Sequence, residues 1–307
     1  MTFDRKTLVI PDKTKFEEKT IFTNGDVIIS DRSLIRFGIK TNGRIFIGEH
    51  VIIDGDIDSS KDIRIDTFSH IGGNVKSGGD VFLGEKVRID GQLSLLGDLD
   101  VADSVFVNEG FEAKGWINIR SPIPIIIYIF IYLVQLLKMG HSEEIEKLLK
   151  EIEENNGEAI PISDIFLFIP NNSIIGIQKS QIDSNLQIGK NSRIIGNFNV
   201  KGNIIIEDKV VLFGSISNTN NINCGKDIKI HGNIDCKGDV TIDDNCLILG
   251  DIRGNKIYIS KFATIDGMLQ TNNGVSFLPI IENKTEDKIR RFESNLDKIE
   301  GLEDILE

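Results

Sequence analysis

The sequence predicts a mainly β protein: two tandem three-sided parallel β-helices, or β-solenoids, with a helical-hairpin insert between them and a helix after them. Three observations predict it. Apolar residues return at four fixed offsets of an 18-residue repeat, glycine recurs at a fifth, and isoleucine and valine dominate the apolar set, which favours strands.

Taking Gly25 as offset 0, the first stack steps by 18 through Gly43, Lys61, Gly79 and Gly97. Offset 2 carries Val27, Ile45, Ile63, Val81 and Leu99, and offset 4 carries Ile29, Ile47, Ile65, Leu83 and Val101. Offset 10 carries Ile35, Ile53, Ile71, Ile89 and Val107, and offset 14 carries Ile39, Ile57, Val75, Leu93 and Phe111. The second half repeats the pattern from Ser184 through Gly202, Asn220, Gly238 and Asn255, with a last step of 17. Counting Cys224, every residue at these offsets is apolar, in a chain that is only 40% hydrophobic. Offset 12 is glycine in most turns, among them Gly55, Gly73, Gly91, Gly214 and Gly232, where a side chain would clash or φ must be positive.

Alternation within the offset pairs means strands, and their spacing of about six residues means three short sides per turn. Inward residues should stack on the same offset of the next turn. A single turn cannot bury enough to order itself, so stacking is obligatory and the ends of the stack matter. An uncapped end offers unpaired strand edges and an apolar face.

These patterns set the expected organisation: an N-terminal cap at 1–24, β-helix one at 25–120, an apolar helical insert at 121–158, β-helix two at 159–278, and a C-terminal helix at 279–307. In the insert, Pro122 and Pro124 suit a helix start and Gly140 a stop. The apolar positions Ile125, Ile126, Tyr128, Ile129, Phe130, Tyr132, Leu133, Leu136 and Leu137 form a candidate membrane- or partner-docking helix. The run 123–137 would span about 22 Å as a helix, short of the roughly 30 Å hydrocarbon core. A docked helix, an interfacial anchor and a membrane span all stay open. At the C-terminus, Ile289, Phe292, Leu296 and Ile299 follow helical spacing, as a cap or an association helix.

The net charge of −12 argues against nucleic acid as a partner, because phosphate binding needs a basic face. Three cysteines without a CxxC motif, and an N-terminus without an apolar signal region, suit a reduced cytoplasmic setting. No catalytic, cofactor-binding or metal-binding residue is expected, and no cofactor or small-molecule substrate. Cys224 and Cys246 occupy inward offsets, and Cys236 lies at offset 16, which suits small hydrophobes. Aspartates such as Asp54, Asp56, Asp80, Asp90, Asp98 and Asp100 lack the nonapeptide spacing of calcium-binding solenoids.

Two enzyme classes share an 18-residue turn. Ile47-Gly48-Glu49-His50-Val51 and Leu83-Gly84-Glu85-Lys86-Val87 resemble the hexapeptide signature of left-handed β-helix acyltransferases. That resemblance implies a general-base histidine beside a loop thrown out of the coil, and the steady spacing here leaves no such loop. The carbonic anhydrases of the same fold need three converging histidines. His50, His70 and His231 stand at different offsets, and His141 lies in the insert.

Gly25-Asp26-Val27-Ile28-Ile29, Gly43-Arg44-Ile45-Phe46-Ile47-Gly48, Val51-Ile52-Ile53-Asp54-Gly55-Asp56-Ile57 and Gly238-Asp239-Val240-Thr241-Ile242 resemble the bactofilins, polymer-forming cytoskeletal proteins. The likeness covers about 200 residues in two copies. It implies a right-handed β-helix, head-to-tail polymerisation through the helix ends, no nucleotide, and often a membrane-associated segment. The two-domain, isoleucine- and asparagine-rich form is similar to the archaeal branch. The expected function is therefore a structural, self-assembling scaffold and not an enzyme, with itself as partner and the inner face of the cell membrane as a second contact. The alternatives are an acyltransferase-like enzyme and a monomeric solenoid that binds a partner on its flat faces.

Overall fold

A computed structural model describes residues 6–120 and 165–279. The insert at 121–158, and all but the first residue of the segment 279–307, lie outside the described residues.

Every regular element among the described residues is a strand of two to four residues, numbered β1 to β38 along the chain. They form three sheets of 14, 12 and 12 strands, the three sides of one solenoid, here faces A, C and B in that order. One turn shows the plan: Ile45–Ile47 lies on face A, Ile52–Ile53 on face C and Ile57–Ser59 on face B. The register is the repeat itself, with Ile63 pairing with Ile45 on one side and Val81 on the other. Inward offsets fill the bore: Val27, Ile45, Ile63 and Val81 are fully buried, as are Ile194, Leu212, Ile230 and Ile248. β-Branched side chains suit this stacking because their restricted rotamers match the pleat.

The corners are tied by side chains reaching one turn up. In the first stack Asp62 Oδ1 accepts the Asp80 N–H (2.9 Å), Asp80 Oδ1 the Asp98 N–H (2.7 Å), and Asp98 Oδ1 the Trp116 N–H (2.8 Å). In the second stack asparagines do the same, Asn185 to Asn203 (2.8 Å) and Asn221 to Asp239 (2.9 Å). This ladder explains the glycines. A Cβ on Gly97 would stand 2.1 Å from Asp80 Oδ1, so the capping carboxylate and any side chain there exclude each other. At offset 12, close approach dominates at Gly73, whereas Gly214 combines it with a φ of 151°. The left-handed corner of each turn falls instead at offset 7, on non-glycine residues such as His50, Phe68 and Lys86.

The two stacks do not follow one another end to end. They join base to base, through an exchange of strands. β1 (Leu8–Ile10) and β2 (Lys15–Phe16) pair in parallel not with the first stack but with β23 (Leu186–Ile188) and β24 (Arg193–Ile195) of the second. Reciprocally, β20 (Phe166–Ile169) and β21 (Ile174–Ile175) pair in parallel with β4 (Asp26–Ile29) and β5 (Leu34–Ile35) of the first. Antiparallel contacts then close all three faces: β1 with β20, β2 with β3 (Thr20–Thr23), and β21 with β22 (Ser180–Ile182). Each exchanged half-turn carries an Ile-Pro-Asx corner, Ile10-Pro11-Asp12 and Ile169-Pro170-Asn171. Proline tolerates the strand end because no ladder N–H is needed there. The Pro carbonyls accept buried hydroxyls, Thr14 Oγ1 on Pro11 (2.7 Å) and Ser33 Oγ on Pro170 (3.0 Å). The result is a pseudo-two-fold solenoid that grows outward from its middle in both directions.

Candidate functional site

The junction has a direct consequence for the free ends. Each stack grows away from the middle, so both outer edges are C-terminal edges. One is made by β17 (Phe106–Val107), β18 (Phe111–Ala113) and β19 (Ile117–Ile119), the other by β36 (Thr264–Ile265), β37 (Leu269–Thr271) and β38 (Val275–Phe277). At both, residues at inward offsets lie open. Phe111, Ile117 and Ile119 are exposed at the first end, and Leu269, Val275 and Phe277 at the second. Trp116, at 84% exposure, and Met268, at 74%, flank them. The same offsets are fully buried four turns inward, so the exposure comes from the missing next turn and not from the side-chain type. Within the described residues these ends combine two unmet needs, unpaired backbone groups and uncovered apolar surface.

The histidines of the described residues make local contacts on the outer surface. His50 stacks on Phe68 with ring centroids 4.9 Å apart, and His231 stacks on Phe213 at 4.4 Å. His70 Nε2 lies 2.7 Å from Asp90 Oδ2, whose other oxygen accepts from Arg88 Nε at 2.7 Å. Those hydrogen bonds, from Arg88 first and then His70, hold the Asp90 carboxyl below its usual range. The three histidines sit apart on the outer surface, and no group of three or more histidine, cysteine or acidic side chains able to hold a metal ion occurs among the described residues.

All three thiols are buried, Cys236 included. Burial raises the Cys224 thiol, and it pushes Cys236 and Cys246 up to about 11. They stay protonated near neutrality, and Cys236 Sγ donates to the Asn220 carbonyl at 2.7 Å. Protonated, enclosed thiols are poor nucleophiles. Of the aspartates noted in the sequence, Asp56 Oδ1 caps the Asn74 N–H (2.7 Å), Asp80 and Asp98 cap the next corners, and Asp90 and Asp100 pair with Arg88 and Arg120.

An open recess of about 800 Å3 runs along the corner after face A of the second stack, past Ile205, Asp208, Lys226, Asp244 and Phe262. Two of its lysines pair with aspartates, Lys226 with Asp244 at 3.0 Å and Lys190 with Asp208 at 3.5 Å.

The candidate docking residues Ile125, Ile126, Tyr128, Ile129, Phe130, Tyr132, Leu133, Leu136 and Leu137, and the candidate cap residues Ile289, Phe292, Leu296 and Ile299, lie outside the described residues. Among the described residues no helix is long and apolar enough to cross a membrane. Sequence reasoning treated Phe111 as an ordinary repeat position, and Leu269, Val275 and Phe277 follow the same spacing in the second half. The available signal was their place: each is in the last turn of its stack. The chain matches no family model, no curated protein and no solved structure.

Proposed function

We propose that the protein is a structural, self-assembling solenoid, a bactofilin-like scaffold whose two open ends bind further copies. The observation that carries this reading is the pair of uncovered bore ends, with Phe111 and Ile119 at one and Val275 and Phe277 at the other. Covering them would remove apolar surface from water and satisfy strand edges in one step. Head-to-tail growth, which the family resemblance implies, needs one N-terminal and one C-terminal edge per chain. This solenoid has two C-terminal edges, so copies would meet edge to like edge, as the strands at the internal junction already do.

The test is light scattering on the full chain across a concentration series. The wild type is expected to grow in mass with concentration, and the double variant Phe111→Asp/Phe277→Asp to remain a monomer. A wild-type chain that stays monomeric to high concentration removes the proposal and leaves the flat-faced binding scaffold in its place.

A further inference from the structure

The outer side of face A differs between the two stacks. On a solenoid this side meets water, and in the second stack its central row is mainly polar: Gln187, Asn223, Thr241 and Ser276, interrupted by Ile205 and Tyr258. In the first stack and at the junction the row reads Asn118, Asp100, Phe82, Arg64, Phe46, Ile28, Phe168, Val9, so its apolar part is the stretch from Phe82 to the junction. The register places Phe168 outward, opposite Ile28 and Val9, while its neighbours Leu167 and Ile169 point into the bore. Yet Phe168 is only 4% exposed. A shallow depression of about 130 Å3 continues the strip between Phe46 and Phe82.

The path of the chain names an occupant. It leaves face A at Arg120, after β19, and re-enters the same face at Ile165, before β20. These strands are parallel and six ladder steps apart, about 29 Å. The bore between them is filled by inward side chains. Arg120 and Ile165 lie on the C-terminal and N-terminal sides of that sheet, and the short line between them runs diagonally over the apolar strip. We propose that the apolar run 123–137 seats on this strip, against Phe82, Phe46 and Ile28. Face A of the second stack lies between no such pair of described chain ends, and there the row is the more polar.

Hydrogen–deuterium exchange on the full chain, dilute and without lipid, tests this. Peptides within 123–137 should exchange slowly in the wild type. In Phe46→Glu/Phe82→Glu they should exchange about tenfold faster, with Ile205→Glu on the second stack leaving them unchanged. Strand amides at Ile45–Ile47 and Val81–Leu83 report whether the double variant keeps its fold. Should it not, a benzophenone photo-crosslinker at Arg64 in the otherwise wild-type chain decides, with adducts expected in 123–137 of the same molecule. The proposal falls if the run exchanges freely in the wild type or if adducts form elsewhere. It also falls if protection appears only with phosphatidylglycerol vesicles, or only as protein concentration rises. Those last two results assign the run to a lipid surface or to a second copy.

Discussion

The middle of the solenoid and its two ends are built from the same repeat and end differently. At the middle, Leu8, Phe16, Ile21, Leu167 and Ile175 are all buried, because each half lends the other a half-turn that seals its bore. At the ends, the corresponding offsets present Phe111, Ile119, Val275 and Phe277 to the surface. The repeat therefore has no intrinsic cap. Among the described residues closure comes from an exchanged strand, and only at the N-terminal edges.

Substitutions at the two places should separate them sharply. Phe16→Ala at the sealed junction should cost about 3–5 kcal/mol of unfolding free energy. Phe277→Ala at the open end, where the ring is 67% exposed, should cost less than about 1 kcal/mol in dilute protein. Denaturant midpoints measured below the onset of association check both, and equal losses would mean the ends are as closed as the middle.

Next in size is the corner ladder. Gly97→Ala forces a Cβ onto Asp80 Oδ1 and the Gly79 carbonyl, and should lower stability by about 1–3 kcal/mol. Asp80→Ala, which removes the acceptor for the Asp98 N–H, should cost about 1 kcal/mol, and Asp80→Asn should restore most of it. The asparagine ladder of the second stack already shows that an amide oxygen can do this work. A harmless Gly97→Ala would show that the turns are spaced more loosely than described.

The smallest effect is the pH response. Hydrogen bonds from Arg88 and His70 lower Asp90, those from Lys201 lower Asp183, and those from Ser260 and Lys226 lower Asp244. A carboxyl whose folded-state value is depressed stabilises the fold above its unfolded value, near 4, and that contribution is lost as pH falls through the folded value. The melting temperature should thus be flat around pH 6 and decline below about pH 4. These groups are exposed, so salt should blunt the decline. A melting temperature that rises on acidification would contradict the assignment.

Much of this was legible from residue spacing. Val27, Ile45 and Ile63 announce the bore because stacking needs the same residue class at the same offset, and the structure keeps that register throughout. The base-to-base junction was harder to see, because pairing partners 178 residues apart leave no local pattern. One trace existed. Leu8 to Val27 and Leu167 to Leu186 are steps of 19, where nearly every other step is 18, and each contains an Ile-Pro-Asx corner. The extra residue lies in the hairpin where the chain reverses. The open ends were also hidden, since Phe111 and Phe277 look like any inward residue until the last turn is located. The assignment of glycine to corners was sound at offset 12, but close approach explains Gly73 while the left-handed conformation falls on His50 and Phe68.

Electron microscopy of the purified full chain tests the account most directly. One molecule should measure about 60 Å along its axis, from 14 strands on face A at about 4.8 Å spacing. The account predicts rods several times that length, which shorten to single units when Phe111 and Phe277 are both replaced by aspartate. Single units for the wild type at every concentration, or long rods that survive the double replacement, would contradict it.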